Sequence, residues 1–274
     1  CLVGANLASS SYVVGLQHYL GLFEMTDAQR QSWAGWLMSM FDAQTGQFID
    51  AQLEKHLPDV SRHGRSALWN HRRYTTKQAQ SALLQLGVKP PLLMEIDQIG
   101  FDPQKESIEE HLQTFDWSEN PWAGGSSAAA SLAMLDLMAR DGQEQWIPMI
   151  HRGIQWLEAR QDPVTGLWGS SKCHLRLRVN STLKVMTRLF STFRRPVQYP
   201  DRVIDSVLLN WSDTDYFHPD NPDLNACDEM NMLVVAAITL RFTDHRREEI
   251  MRHAKQRIDW FKVYRRADGV FSLL

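Results

Sequence analysis

Trp156-Leu157-Glu158-Ala159-Arg160-Gln161-Asp162-Pro163-Val164-Thr165-Gly166-Leu167-Trp168 decides how this chain is read. An aromatic opens an amphipathic turn, a polar turn follows, and a Gly-x-aromatic triplet closes the unit. Residues 36–48 give the same order and end Gly46-Gln47-Phe48. Residues 260–271 give it again, one residue shorter, ending Gly269-Val270-Phe271. Self-similarity on this scale marks an array of supersecondary units, each burying its apolar face against the next. The pattern predicts helical hairpins closed into a ring.

The rest of the chain extends that reading. Helical periodicity dominates and no alternating strand pattern stands out. Amphipathic, charged helices are predicted near 27–42, 104–115, 143–161, 201–210 and 246–264. Small-residue, nearly uncharged helices are predicted near 6–22, 72–87, 123–140, 180–194 and 227–243. A helix apolar on all sides must be covered on all sides. The arrangement that satisfies both kinds is an inner ring of small-residue helices inside an outer amphipathic ring. Gly87 with Pro90-Pro91, Asp141-Gly142 and Arg195-Pro196 supply the breaks between helices. The expected fold is all-α, an α/α toroid of about five to six hairpins in one domain. The start at Cys1 and the stop at Leu274, where a further helix would follow the third repeat, predict a domain incomplete at one or both ends.

Residues 156–168 resemble the QW motif of triterpene cyclases, in which a Gln ends an outer helix and a Gly-x-Trp follows. The resemblance is to the terpenoid cyclase and protein prenyltransferase superfamily. It implies an α/α toroid around a central cavity, and an enzyme acting on a ligand held there. The other copies depart from the motif, with Phe41 in the place of Gln161 and Phe48 and Phe271 in the place of Trp168. The catalytic signatures match poorly. The nearest string to the Asp-x-Asp-Asp acid motif is Asp213-Thr214-Asp215-Tyr216, which makes Asp213 and Asp215 the candidate acids of a cyclase reaction. No Asp-x-Cys zinc pattern of the prenyltransferases is present. Residues 226–232 are also similar to the thioester segment of complement-type proteins, but Met230 stands where the acyl link needs a Gln.

Residues at the starts of inner helices would face the mouth of such a ring. Trp69-Asn70-His71-Arg72-Arg73-Tyr74 holds the residue types of a uronate lyase. There Asn70 and Arg73 would neutralise a carboxylate while His71 or Tyr74 moves the proton. A polar loop with an aromatic anchor and two solvated arginines is the plainer reading of these letters. Asp116-Trp117-Ser118-Glu119-Asn120-Pro121-Trp122 has the make-up of a sugar platform, with Asp116 as acid or base and Trp117, Asn120 and Trp122 as contacts. A capped helix entry accounts for it as well. Asn180, Cys227 and Asp228 are further binding candidates on inner helices, although acidic residues at a helix start are stabilising without any ligand. These clusters keep two alternatives beside the cyclase-like enzyme: a carbohydrate-active toroid (polysaccharide lyase or glycoside hydrolase), and a toroid that binds without catalysis.

The bulk numbers narrow the partners. Across 274 residues, 43% hydrophobic and 22% charged residues describe a globular protein with ample core. A net charge of −3 gives no basic footprint for nucleic acid. Ten Trp favour cavity walls or ligand stacking as well as core. The expected partner is a small molecule or glycan in the cavity, with no metal or cofactor. Residues 1–23 carry no Lys, Arg, Asp or Glu, yet they hold Asn6, Ser9, Ser10, Ser11, Gln17 and His18, which favours a buried helix over a membrane span. Three widely spaced cysteines show no disulfide framework and favour a reducing, cytoplasmic setting.

Overall fold

The computed structural model describes residues 25–55, 67–91, 105–140, 142–217 and 226–260, with residues 7, 11, 14, 102 and 221. Within these, the side chains of 52, 53, 67, 69, 70, 190–192, 226, 227 and 258–260 are not described. The described residues are mostly helical and the protein is all-α, as the periodicity predicts. The third repeat, at 260–271, lies outside them apart from the backbone of Trp260. No helix among the described residues is long and apolar enough to cross a membrane.

The chain forms two compact units, residues 1–106 with 133–147, and residues 107–132 with 148–274. In the first unit, helix α1 (Asp27–Met38) starts at a capping box in which Thr26 and Gln29 each bond the other's backbone amide. Its chain then turns through a short antiparallel pair, β1 (Phe41–Asp42) and β2 (Gln47–Phe48), with Phe41 opposite Phe48. The periodicity carried the first helix on to residue 42. Asp42 ends it earlier, because its carboxylate takes the Gln44 amide and the Thr45 hydroxyl and folds the chain back. The single turn α2 (Ala51–Glu54) leads to the long helix α3 (Ala67–Gln85), which stops at Gly87 with φ 79°. The core here joins Leu37, Phe48, Ala79 and Leu83 to the helical residues Leu7 and Val14.

The second unit begins with α4 (Ile108–Gln113), entered through a second capping box between Ser107 and Glu110. Helix α5 (Pro121–Arg140) has Pro at its first position, where the missing amide costs nothing, and it supplies residues to both units. A 3₁₀ turn (Glu144–Trp146), which belongs to the first unit, leads into α6 (Ile147–Glu158). Met149, Ile150, Gly153, Ile154, Trp156 and Leu157 form its buried stripe at helical spacing. A Cβ on Gly153 would stand 2.5 Å from the Leu132 side chain, so the glycine sets how closely α6 lies on α5. Helix α7 (Leu175–Met186) runs on into a π-helical turn (Thr187–Thr192), followed by α8 (Pro200–Trp211), α9 (Ala226–Thr239) and α10 (Arg247–Trp260). Helix α9 packs against α7, α8 and α10. A Cβ on Gly125 would stand 2.5 Å from Ser181 Oγ, which makes α5 and α7 near neighbours along their small residues.

Candidate functional site

The repeated unit folds into the same small device twice. In the second unit, Asp162 accepts the Val164 amide at 2.9 Å and the Thr165 hydroxyl at 2.8 Å, and its own carbonyl takes the Gly166 amide at 2.7 Å. In the first unit, Asp42 accepts the Gln44 amide at 2.9 Å and the Thr45 hydroxyl at 2.7 Å, and its carbonyl takes the Gly46 amide at 2.8 Å. Gly166 and Gly46 have φ of 70° and 68°, a region that L side chains avoid. The closing aromatic then hands its amide to a helix threonine: Trp168 to Thr182 at 3.3 Å, and Phe48 to Thr76 at 2.9 Å. One turn before each threonine stands an arginine, Arg178 or Arg72. Gln161 acts as a tie, donating to the carbonyls of Gly166 at 2.7 Å and Gln198 at 2.8 Å. Trp168 Nε1 donates to the Leu157 carbonyl at 2.7 Å. The unit is a clasp between a helix end, a turn and the next helix.

The clasp of the second unit delivers the chain to the N-terminal end of α7, where the chemistry gathers. Asp228, on α9, is 1% exposed. Its Oδ2 accepts from Arg176 Nη1 at 3.1 Å and from the Tyr216 hydroxyl at 2.5 Å, while Oδ1 accepts from Asn180 Nδ2 at 2.6 Å. Arg176 Nη1 also donates to Tyr216 Oη at 2.6 Å, and its guanidinium lies 4.3 Å from the centre of the Tyr216 ring. Asn231 Nδ2 donates to Asn180 Oδ1 at 2.9 Å, one helical turn beyond Asp228 on the same face of α9. Burial, reinforced by the Asp228 charge, pushes the Tyr216 phenol well above its ordinary pKa, so it holds its proton at any physiological pH.

Three loops meet around this network. The Ser170 amide donates to the Trp117 carbonyl at 2.8 Å, and the Cys173 thiol donates to the Ser118 carbonyl, which joins loop 170–174 to loop 116–120. His174 Nε2 stands 3.9 Å from Asp213 Oδ2, which joins it to loop 213–217. His174 also caps α7, its Nδ1 accepting the Arg176 amide at 3.2 Å. Asp116 is exposed and accepts the Ser118 and Glu119 amides, and Asn120 is exposed and accepts the Ala123 amide. Trp117 and Trp122 are half-buried. The Trp117 indole donates to the Leu112 carbonyl at 2.8 Å and its ring centre lies 5.8 Å from that of Trp156. Asp213 is half-buried and takes the Tyr216 amide at 3.1 Å, whereas Asp215 is exposed. Asp116, Trp117, Asn120, Asn180, Asp213 and Asp228 therefore belong to one neighbourhood. The side chain of Cys227 lies outside the described residues.

The other candidate cluster lies in the first unit, on α3. His71, Arg73 and Tyr74 are half-buried, and the Asn70 side chain lies outside the described residues. Burial holds the His71 imidazole below its ordinary pKa against the pull of Glu54 and Asp50, and its Nε2 has no partner. Lys77, itself buried, places its ammonium 5.4 Å from the Tyr74 ring centre. By the clasp equivalence of Arg72 with Arg178, Tyr74 occupies the place on its helix that Asn180 has in the second copy, and Asn70 the place of Arg176.

Sequence reasoning missed Arg176, Tyr216, Glu229 and Asn231 as partners. Arg176 meets Asp228 across 52 residues, a separation at which no local pattern speaks. Glu229 is fully buried on the next face of α9, paired to Arg257 Nη1 of α10 at 2.9 Å. Burial raises its carboxyl to a pKa of about 7, opposed by the Arg257 guanidinium and the Trp211 indole. Among the described residues, no group of three or more His, Cys, Asp or Glu is placed to hold a metal ion. No family model matches the chain, and no curated protein or solved structure matches it either.

Proposed function

We propose that this chain is a carbohydrate-active α/α-toroid protein that takes a glycan across the loops at the N-terminal ends of α5, α7 and α9. The observation behind this reading is the unbroken run of contacts from Trp117 and Ser118 through Cys173 and His174 to Arg176, Tyr216, Asn180 and Asp228. Sugars present apolar ring faces beside fixed hydroxyls, and they suit sites that mix partly exposed indoles with planar amide, carboxylate and guanidinium groups. An isoprenoid pocket would instead want apolar walls and one isolated acid. Buried polar networks are a costly way to hold helices together, since a well-packed apolar core of equal volume serves as well or better. A ligand gives such a network a use.

Isothermal titration of the whole chain with a panel of neutral and uronate hexasaccharides tests this. Binding by the wild type is expected, with a loss of roughly tenfold in Trp117→Ala and in Tyr216→Phe, each of which removes one contact of ordinary strength. A panel without a single binder removes the reading. Release of reducing ends or of unsaturated uronate from the bound member would add hydrolase or lyase activity to it.

A second reading rests on the Gln161 tie and the Trp168 indole bond, which give the QW-like unit the role that its letters imply. Under it the chain is a terpenoid-cyclase-like enzyme with Asp213 or Asp215 as its acid. Product formation from squalene, abolished by Asp213→Asn or Asp215→Asn, is the outcome that would favour it over the glycan reading.

A further inference from the structure

We infer that Asp228 sets the specificity of this site, holding Arg176 in an internal pair so that the site takes a neutral polyhydroxy ligand and turns away uronate polymers. The inference rests on the glycan reading above and adds the class of sugar to it.

An unengaged arginine at a glycan site is the natural partner of a uronate carboxylate, through charge-assisted and often paired hydrogen bonds. Arg176 is not in that position. Its Nη1 is bonded to Asp228 Oδ2 and to Tyr216 Oη. Asp228 is 1% exposed, so water does not screen the attraction, and its second oxygen is fixed by Asn180. The trio of Arg176, Asp228 and protonated Tyr216 sums to no net charge. A carboxylate brought to Arg176 would have to compete with one that is already bound, and would pay for its own desolvation as well.

The atoms left over point to hydroxyls. Arg176 Nε is a buried donor with no acceptor, and Asn231, 1% exposed in the same network, leaves Oδ1 with no donor. A hydroxyl gives and receives, and suits both kinds of vacancy; a carboxylate only receives. The rim adds its own bias. Asp116, Glu119, Asp213 and Asp215 stand on the surrounding loops, against Lys172 and His174 as the basic groups of loop 170–174. A chain of uronates approaching that rim meets a field of its own sign.

The test titrates the whole chain with cellohexaose, xylohexaose and mannohexaose, and with hexagalacturonate and hexamannuronate. In the wild type a neutral hexasaccharide should bind at least roughly tenfold more tightly than either uronate. Asp228→Asn should raise uronate affinity by roughly tenfold, because the Arg176 charge is then no longer neutralised within the site. That variant has a route to fold. Asn180 and Asn231 can each turn their amide over, and the vacant Asn231 Oδ1 absorbs the change at the end of the line. A thermal melt by circular dichroism checks it. Should it not fold, the wild type decides alone through salt: uronate affinity should rise with added sodium chloride if the rim repels it. Uronate binding as tight as neutral binding, uronate affinity that falls with salt, or a folded Asp228→Asn with no gain for uronates overturns the inference and leaves the glycan reading in place. If none of the five sugars binds, the glycan reading falls and takes this inference with it.

Discussion

The clasp of the first unit and the clasp of the second share the bonds that fold their turns and differ in what fills them. Both fold the chain with Asp, Thr and a left-handed Gly, and both pass an aromatic amide to a helix threonine. At the two mouth positions, however, the first copy has Phe41 against Phe48, ring centres 5.2 Å apart, where the second has Gln161 and Trp168 making three hydrogen bonds to carbonyls. The arginines part company too. Arg178 is 4% exposed and bonds Asp162 at 2.8 Å, whereas Arg72 turns to Glu54 with two bonds of 2.8 and 2.9 Å. The turn is thus set by three residue types, and its filling is free to be aromatic or polar. What differs is how much each clasp owes to charge.

Substitutions at five positions press on that difference. Trp168→Ala should be the most damaging, costing about 3–5 kcal/mol, since a 2% exposed indole leaves both a cavity and an unpaired Leu157 carbonyl. Urea unfolding measures it, and a loss below that of an ordinary surface change would mean that the second clasp is not the anchor it looks like. Asp162→Ala should follow at about 3 kcal/mol, because it strands the buried Arg178 guanidinium, while Asp42→Ala should cost clearly less. Equal shifts in the two urea midpoints would erase the charge distinction.

The same pair separates in acid. Burial of Asp162 works against its ionisation, but the Val164 amide, Arg178 and Thr165 together hold its pKa below the usual carboxylate range. A depressed pKa means that its contribution is fully present above the unfolded value, about 3.9, and fades as pH falls through the lower folded value. Melting temperature followed from pH 5 downward, a window of about that position, should therefore drop more shallowly in Asp162→Asn than in the wild type.

Trp168→Phe turns the second mouth toward the first and should cost about 1–2 kcal/mol, the loss of one buried hydrogen bond. Smallest and most alike should be Thr182→Val and Thr76→Val, about 1 kcal/mol each, as both remove the acceptor of one buried amide. A large asymmetry between these two would show that the clasps are only outwardly the same.

Much of this was legible in the letters, for local reasons. The helical periodicity and the Gly87 stop are governed by residues a turn apart, and the helices follow where those signals place them. The clasp was legible as a repeat. Its two-residue strands were not, since Phe41 and Asp42 continue the helical period until the Asp42 carboxylate captures the turn. At the candidate site, Asp213 could be named from its likeness to an acid motif and Asp228 from its place at a helix start. Their partners could not: Arg176 and Tyr216 reach Asp228 only because α7, loop 213–217 and α9 converge. Likewise nothing local tells Arg72 to choose Glu54 and Arg178 to choose Asp162.

Helix α5 has a consequence for how the chain comes off the ribosome. Its first residues, to 132, belong to the second unit and its last, from 133, to the first. Synthesis runs from the N-terminus, so the first unit must wait for a stretch that emerges only after part of the second has passed. A chain halted at residue 106 would lack 133–147 and leave the first unit unfinished. The order of translation and the order of completion are therefore not the same in this protein.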